Sequence, residues 1–430
     1  MPLAPAHCKL PPVNAWAVGT FSTLGNPRFR MLWMGTFLAF IAFFMSLVVN
    51  NVVAFELSGS NSAVGFVGFG QGVAQLALGP LGGALADRLP KKTVILACQL
   101  AITIAFAVLG FLVLTDIIEV IYLALGSFVI GVAFSFLGPA RQAWMVELVE
   151  PHQRGNAVAL SQVALNASRI IAPLAATFLL GADMLGAEGA FFLMAALYVA
   201  AMWYTVRLPH ADTVARTNRS VFGDIASGLG YVKRTPRLRL LVVSYVLTIM
   251  FGFAHTALLP GLLVNELDRK AKAITILLLA NAVGGLIASL GVAALADSPR
   301  ARTIYTAMCV IFGLSVIGMG LAPSYEVLIL VMFVSGFGGG GFQTLNGAIV
   351  SHTTAPEFFG RVISLTFLAF ATSSIIALPA GVLADSIGER TTLLGAGTLV
   401  CFVTVAFFLL NRAIRDATPI GASVGDVAAG

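Results

Sequence analysis

Arg169 stands inside an apolar run from Ala157 to Gly181, where a fixed positive charge is unusual. A guanidinium near the centre of a bilayer costs at least ~2.5 to 3.5 kcal/mol unless water or a partner reaches it. Its planar fork of donors suits a carboxylate or a phosphate. We therefore expect Arg169 to face a protein interior or a wet cavity. There it either attracts an anionic or zwitterionic solute or clamps backbone carbonyls and Asn166.

Few groups in the apolar runs can carry protons. His255 lies in such a run, and an imidazole titrates near neutral pH, so His255 is the first candidate for proton coupling. Every Asp and Glu lies in a loop or near the end of a run, and Glu56 is the next candidate. A histidine in a packed helix is also commonly a hydrogen-bonded packing residue, and this alternative stays open.

Further polar side chains lie within the apolar runs at depths compatible with a cavity. Gln71 and Gln75 are four residues apart and share one helix face. Such side chains either bind a solute or join helices across a bundle. Together with Arg169, the candidates for a substrate cavity are Asn50, Asn51, Gln71, Gln75, Arg141, Gln142 and Gln343.

Several other chemistries are not indicated. The four cysteines are widely separated, at neither metal-ligand nor disulfide spacing. The glycine run from Gly338 to Gly341, with Gly336 before it, lacks the Lys-Ser or Lys-Thr of a phosphate loop, so it predicts close helix packing and a flexible section. Basic residues do not gather on a soluble domain, which argues against nucleic acid. We expect no cofactor, no metal and no enzymatic site.

These polar residues must be positioned by helices in a membrane. The chain of 430 residues is 58% hydrophobic and only 10% charged, too apolar for a water-soluble globule. Its apolar runs of about twenty residues match a bilayer crossed by helices. We predict an all-α protein with twelve spans near 31–55, 62–86, 93–114, 118–143, 157–181, 186–206, 239–264, 272–296, 303–321, 326–350, 362–384 and 391–411.

Charge sets the expected orientation and domains. With both termini in the cytoplasm, 19 of the 25 Lys and Arg residues fall on the inner side and four on the outer side, as the positive-inside rule favours. We predict a six-helix bundle in 1–206, a basic cytoplasmic linker in 207–238 and a second six-helix bundle with a tail in 239–430. Within the linker, SVFGDIASGLGYVKR has the spacing of an amphipathic helix on an anionic membrane surface.

The two halves show an internal repeat. The stretch 155–175 aligns with 360–380, so that SRIIA matches SSIIA, and Gln142 corresponds to Gln343. GALAD at 83–87 also resembles GVAALAD at 291–297. Two such repeats related by an axis along the membrane normal place a solute cavity at their interface near the bilayer midplane. The repeat therefore predicts a carrier.

GALADRLPKK, from Gly83 to Lys92, resembles the signature that the major facilitator superfamily carries between helices two and three, commonly G-x-x-x-D-R-x-G-R-K. Pro90 replaces the usual glycine. With the twelve spans and basic centre, this resemblance covers nearly the whole chain. GPARQAWMVELV and TTAPEFFGRVISL are similar to bacterial exporters related to the enterobactin exporter and to macrolide and tetracycline efflux proteins. The antiporter signature of helix five is reduced to Ala172-Pro173.

The resemblance implies a gate at the inner end of span two. In that loop, charges can link helix ends in one conformation and separate in another. The alternative is a solvated loop that only obeys the positive-inside rule. The residues assigned to this gating motif are Gly83, Asp87, Arg88, Lys91 and Lys92, with Glu147 as a partner.

We expect a monomeric secondary transporter in the bacterial inner membrane, working by alternating access and exporting small amphipathic drug-like or siderophore-like molecules with protons. The export direction follows from the resemblance alone. A carrier of lysophospholipid or another lipid-like solute is the alternative, because Arg169 suits a phosphate. A membrane enzyme would need a cluster of reactive side chains. A transporter-derived sensor would need a long soluble domain, which this sequence does not contain.

Overall fold

A computed structural model describes residues 22–86, 89–150, 153–181, 186–209, 221–293, 295, 298 and 300–416. Within these residues, twelve long helices follow one another. They are α1 (Pro27–Ser58), α2 (Asn61–Ala86), α3 (Lys91–Leu114), α4 (Val120–Glu147), α5 (Arg154–Gly181), α6 (Gly186–Val206), α7 (Pro236–Glu266), α8 (Ile274–Ala293), α9 (Ala301–Leu321), α10 (Tyr325–Thr353), α11 (Pro356–Ile387) and α12 (Glu389–Asp416).

These helices confirm the predicted all-α membrane fold. Eleven of them, in the described part of the chain, are long and apolar enough to cross a bilayer. The twelfth, α2, has 26 residues and so is about 39 Å long at 1.5 Å per residue. We call the side where α1 begins the terminal side and the opposite side, where α1 ends at Ser58, the distal side.

Local signals in the sequence set the helix ends. The side-chain oxygen of Asn26 accepts hydrogen bonds from the backbone N–H groups of Arg28 and Phe29, at 3.0 and 3.4 Å, and so caps α1. At the other end Gly59 adopts a left-handed conformation with φ of 65°, which glycine takes without steric cost. The short turn to α2 then reverses the chain.

Helix α7 is interrupted. Its first segment ends at Gly252, a second segment begins at His255, and the residues from Leu262 to Glu266 form a π-helical turn. Pro260 lies in the second segment. The break puts backbone carbonyls of α7 beside the other bundle, where side chains can reach them.

The helices form two bundles, α1–α6 and α7–α12, which meet mainly through α2 against α11 and α5 against α8. Glycines allow the tightest crossings. In the second bundle a Cβ on Gly336 would lie 1.8 Å from the carbonyl oxygen of Asn281, and one on Gly340 would lie 2.4 Å from that of Gly285. These contacts confirm that the glycine run packs α10 closely, here against α8.

The predicted amphipathic helix between the halves is present from Val221 to Arg234, and we call it the linker helix. Tyr231 attaches it to the second bundle. The Tyr231 ring stacks on Phe358 of α11 at 4.4 Å with an interplanar angle of 6°. Its hydroxyl accepts a hydrogen bond from the backbone N–H of Ala355, which precedes α11, at 3.2 Å.

Candidate functional site

The contact between α2 and α11 is tight on the distal half and open further toward the terminal side. A Cβ on Gly65 would lie 2.4 Å from the carbonyl oxygen of Ala377, and one on Gly72 would lie 2.9 Å from that of Ala371. Gly79 is on the same face of α2, seven residues further, and a Cβ there would meet no atom within 4 Å. The two bundles therefore close over a space that widens toward the terminal side.

Repeat-related residues of α4 and α10 lie at this depth. On α4, Gln142 is exposed, and a Cβ on Gly138, one turn earlier, would meet no atom within 4 Å. On α10, Gln343 is half-buried and donates a hydrogen bond to the carbonyl oxygen of Gly339 at 3.1 Å, and a Cβ on Gly347 would again meet nothing. Each half thus offers one glutamine beside an open glycine.

Two phenylalanines of α1, one turn apart, each make a cation–π contact with an arginine. The Cζ atom of Arg169 on α5 lies 5.3 Å from the ring centroid of Phe44, and that of Arg141 on α4 lies 6.0 Å from the ring of Phe40. A cation over a ring is stabilised by about 0.5–2 kcal/mol, more as it loses water. Arg169 is half-buried, and Tyr245 of α7 lies near its guanidinium, so Arg169 is on the side of the opposite bundle.

Arg141 has a different environment. It is 4% exposed and lies near Cys98 of α3 and Tyr198 of α6. Its Nε and Nη2 atoms are buried without a hydrogen-bond partner among the described residues, as is Oε1 of Gln99. Helices α3 and α6 enclose these groups, so Arg141 lies within the first bundle, away from the space between the bundles.

The asparagines of α1 join helices. Asn50 is buried and donates a hydrogen bond to the Ser127 hydroxyl of α4 at 3.2 Å, which links two helices of one bundle. Asn51 reaches the other bundle, since its amide donates to the carbonyl oxygen of Thr256, beside the break in α7, at 3.3 Å. Of the two glutamines on α2, Gln71 is buried and Gln75 half-buried.

The distal side is closed by a cluster of carboxylates and amides. The carboxylate of Asp385 on α11 accepts hydrogen bonds from the backbone N–H groups of Asn61 and Ser62, at 2.8 and 2.9 Å. These are the first residues of α2, so one bundle caps a helix of the other. Glu389 of α12 accepts from the amides of Asn61 and Asn265, at 2.8 and 2.6 Å.

A family model described as the Major Facilitator Superfamily matches residues 32–378. The chain belongs to this superfamily. Its family and fold are those of transporters, and the chain is a multi-pass membrane protein. The predicted resemblance is confirmed over most of the sequence.

Several relatives are named as efflux or transport proteins. Macrolide efflux protein A of Streptococcus pyogenes is 22% identical over 396 residues, 90% of this chain and 96% of that protein. The staphyloferrin A transporter of Staphylococcus aureus is 23% identical over 84% of this chain and 91% of its own length. Multidrug resistance protein MdtH of Klebsiella pneumoniae is 32% identical over 47% of this chain and 48% of its own length.

Solved structures support the superfamily fold. A bacterial homologue of the human lysosomal transporter Spinster, in an inward-facing and unoccupied conformation, matches with a TM-score of 0.74 at 12% identity, over 92% of this chain and 99% of that one. The nucleoside transporter NupG matches with a TM-score of 0.71 at 15% identity, over 89% and 99%.

The superfamily signature supplies two lysines that tie α3 to its neighbours. Lys91 forms an ion pair with Glu147 at the end of α4, with 2.6 Å between Nζ and Oε1. Lys92 donates to the carbonyl oxygens of Val206, at 2.8 Å, and Leu208, where α6 ends. Both lysines are buried and both contacts stay inside the first bundle. Gly83 lies near the end of α2, whereas Asp87 and Arg88 lie outside the described residues.

The two candidates for proton coupling lie apart. His255 is 2% exposed, its Nδ1 atom is hydrogen-bonded to the carbonyl oxygen of Gly252, and its ring packs beside Phe253 and Phe312. These contacts fit a residue that stabilises the break in α7. Glu56 is exposed and lines a distal pocket of about 780 Å³ that also contains Lys272.

Asn61, Asp385 and Glu389 were not predicted as site residues. The sequence holds one signal for them, two acidic residues four apart on either side of Gly388 in LADSIGERT. Their importance depends on Asn61, which is more than 300 residues away in the chain. In the described part of the chain, no group of three or more His, Cys, Asp and Glu side chains could hold a metal.

Proposed function

We propose that this chain is a secondary transporter that exports small amphipathic molecules by alternating access. The terminal side is assigned to the cytoplasm of a bacterial inner membrane, because 19 of its 25 basic residues then face inward. The bundles meet on the distal side, where Asn61 contacts Asp385 and Glu389, and the space between them widens toward the terminal side. In this orientation, such an arrangement suits a carrier that accepts cargo from inside. A single chain contains both bundles, which fits a monomer.

The observation that carries the substrate class is the position of Arg169. Its guanidinium is half-buried over the Phe44 ring, faces Tyr245 of the other bundle and has no carboxylate partner among the described residues. A cation held on aromatic rings beside an open space suits a cargo that combines an apolar body with an anionic group. The exposed Gln142 and the half-buried Gln343 supply amide donors and acceptors at comparable positions in the two halves.

Proton coupling belongs to the same proposal. His255 and Glu56 remain its sequence-based candidates, and the gating role remains assigned to Gly83, Asp87, Arg88, Lys91, Lys92 and Glu147. The contacts of Lys91 and Lys92 give the signature a second task, which is to hold the inner ends of α3, α4 and α6 together so that the first bundle moves as one body.

The names of the relatives favour export over import and a drug-like or siderophore-like cargo. Macrolide efflux, multidrug resistance and staphyloferrin A transport are among these names. A carrier of lysophospholipid is the second candidate, and the same feature supports it. Arg169 can hold a phosphate, and the phenylalanines of α1 can hold an acyl chain.

Transport in proteoliposomes under an imposed pH gradient tests the proposal. The cargo panel contains an amphipathic cation, an anionic chelate of the siderophore class and a lysophospholipid. We expect gradient-driven movement of an anionic cargo, reduced about 10- to 100-fold in Arg169→Ala, since a hydrogen bond to a charged group contributes about 1.5–3 kcal/mol.

Arg207→Ala is the matched control. Arg207 also lies over an aromatic ring, with Cζ 3.5 Å from the Trp203 centroid, but it is exposed at the end of α6. Transport that survives Arg169→Ala unchanged would contradict the role of this arginine. Movement that ignores the gradient, or that persists equally in His255→Ala and Glu56→Gln, would contradict coupling through these residues.

A further inference from the structure

One edge of the Arg141 guanidinium is buried and lacks hydrogen-bond partners. Arg141 is 4% exposed, and its Nε and Nη2 atoms have no partner among the described residues. These two nitrogens form one edge of the planar group, and their N–H bonds run parallel. Arginine uses this edge to bind an anion through two hydrogen bonds at once. Buried donors without partners are rare in folded proteins, so we expect a bound ion or water beside them.

No carboxylate of the described residues pairs with Arg141. On α4 the next acidic residue is Glu147, six residues and about 9 Å further along the helix, where it is paired with Lys91 at 2.6 Å. The acidic residues of α1 and α6 are Glu56 and Glu188, which lie at the distal ends of these helices. A guanidinium that stays unpaired inside a membrane protein is strongly unfavourable.

The groups near Arg141 are neutral, and several can donate a hydrogen bond. Tyr198 of α6 lies near the guanidinium, is fully buried and has a hydroxyl without a partner in the described part of the chain. Cys98 of α3 lies near both and carries a weak S–H donor. The Phe40 ring lies against the guanidinium, with Cζ 6.0 Å from its centroid. This enclosure therefore has a positive charge and donors to offer to an anion.

The second half of the chain shows that the fold does not require a charge at this position. In the internal repeat, Phe342 of α10 corresponds to Arg141 of α4. Phe342 is fully buried, and its ring packs edge-on against Tyr245 and Tyr305, with centroids 5.9 and 6.4 Å apart. A ring thus fills the second bundle where the first bundle contains a guanidinium with unpaired donors. Packing alone gives no reason for the arginine.

Solvent comes close to the enclosure along α4. Arg141 itself lies away from the space between the bundles, but its helix borders that space. Gln142 is exposed, and a Cβ on Gly138, three residues before Arg141, would meet no atom within 4 Å. A small ion in the space between the bundles is therefore within one helical turn of Arg141. A large organic anion does not fit beside a side chain that is so completely covered.

An anion fits the enclosure better than water alone. A water molecule can accept a hydrogen bond from Arg141 and donate one to Oε1 of Gln99, which is also buried without a partner in the described part of the chain. Water carries no charge, however, so the guanidinium would stay uncompensated. A monovalent anion on the same edge makes charge-assisted hydrogen bonds and leaves the site neutral. A divalent anion would leave a negative charge in the membrane interior.

We propose that Arg141 binds a small monovalent anion inside the first bundle, along the edge formed by Nε and Nη2, with the Tyr198 hydroxyl as a further donor. Chloride and a short carboxylate such as acetate share this chemistry. The anion compensates the buried charge, so it stabilises the folded protein. The site goes beyond the proposed transport function and does not depend on the cargo, on the coupling ion or on the orientation in the membrane.

Unfolding of the purified full-length protein in detergent tests the inference without any cargo. The protein is prepared in sodium gluconate, whose anion is too large for the enclosure, and chloride or acetate then replaces gluconate at constant ionic strength and pH. We expect the unfolding temperature to rise with the concentration of the small anion. Above the dissociation constant, each tenfold rise in concentration should raise the ratio of folded to unfolded protein about tenfold. A larger effect of chloride than of acetate identifies a halide site, and the reverse identifies a carboxylate site.

Arg141→Gln is the decisive variant, because glutamine keeps a polar side chain but carries no charge. We expect it to lose the response to chloride and acetate. If it does not fold, Tyr198→Phe replaces it and should need about 10- to 100-fold more anion for the same stabilisation, since it removes one hydrogen bond to a charged group. Arg169→Gln is the matched control. Arg169 is the other arginine of the spans that contacts a phenylalanine of α1, and its variant should keep the wild-type response.

Crystals grown in sodium bromide locate the ion directly, because bromide gives an anomalous scattering signal. We expect an anomalous peak beside Nε and Nη2 of Arg141. Three results would overturn the proposal. They are equal stability in gluconate, chloride and acetate, an unchanged anion response in Arg141→Gln, and bromide crystals with only water beside Arg141. A response that is lost in Arg169→Gln but kept in Arg141→Gln would place the anion in the space between the bundles and would also contradict the proposal.

Discussion

Gly72 and Gly79 lie two turns apart on the same face of α2, yet only Gly72 meets the opposite bundle. A Cβ on Gly72 would lie 2.8 Å from the Cβ atom of Ser374 and 2.9 Å from backbone atoms of α11, whereas one on Gly79 would meet nothing within 4 Å. This pair of residues marks where the contact between the bundles ends.

Substitution of these two glycines tests whether the contact between α2 and α11 controls closure of the distal side. In Gly72→Val the added atoms clash with the α11 backbone only when the distal side is closed, so we expect a shift toward the distal-open state. Gly79→Val should leave the equilibrium unchanged. The distance between spin labels on cysteines introduced at Ile117 and Leu321, which are exposed on the distal side of the two bundles, measures the closed and open populations of both variants. If the two variants behaved alike, the contact between α2 and α11 would not end between Gly72 and Gly79.

Lys92 holds the end of α6 through two carbonyl oxygens, a favourable place for a cation because the helix dipole is negative there. We expect Lys92→Ala to lower the free energy of unfolding by about 1.5–3 kcal/mol, the usual range for hydrogen bonds to a charged group. Thermal unfolding in detergent measures the change. Lys233→Ala, at an exposed position of the linker helix, is the control and should have little effect.

The Lys91 and Glu147 pair is open to water on one side, since the Glu147 side chain is 39% exposed. Its coupling energy should therefore be modest, about 0.2–1 kcal/mol, as for other pairs near water. A double-mutant cycle of Lys91→Met and Glu147→Gln, followed by thermal unfolding, gives this energy. If Lys91 acts mainly by linking α3 to α4 within the first bundle, the pair should also work with its charges exchanged. The double variant Lys91→Glu with Glu147→Lys should then recover part of the transport lost in each single variant.

The Phe44 ring lies against the Arg169 guanidinium, with Cζ 5.3 Å from the ring centroid. Phe44→Leu keeps an apolar side chain but removes the ring face, so we expect weaker binding of anionic cargo by about 0.5–2 kcal/mol, or roughly 2- to 30-fold. The binding of cationic cargo should not weaken in the same way. Phe402→Leu, at a side chain of α12 that is 70% exposed, controls for general effects of losing a phenylalanine. Equal losses for both variants would argue against a local role of Phe44.

Much of the fold follows from local sequence. Hydrophobic runs long enough to cross a bilayer predicted twelve helices, and the structure places a helix at each predicted span, with ends shifted by a few residues. The repeat placed Gln142 and Gln343 on corresponding helices. These inferences succeed because the bilayer forces each buried backbone group into a helix, whatever the distant part of the chain does.

The site was less accessible to such reasoning. Arg141 and Arg169 look alike in the sequence, yet Arg141 is enclosed by α3 and α6 while Arg169 faces α7. The rotation of each helix decides this difference, and rotation depends on packing against neighbours remote in sequence.

The sequence alone determined the membrane location of this protein, the number of its helices, its superfamily and the candidate polar residues, because composition, hydrophobic length and a local signature encode them. Only the tertiary structure decided which polar groups meet. The contacts of Asn61 with Asp385 and Glu389 join residues more than 300 positions apart, at the meeting point of four helices. Hydrogen bonds need atoms within about 3 Å, and that proximity arises only when the two bundles pack together.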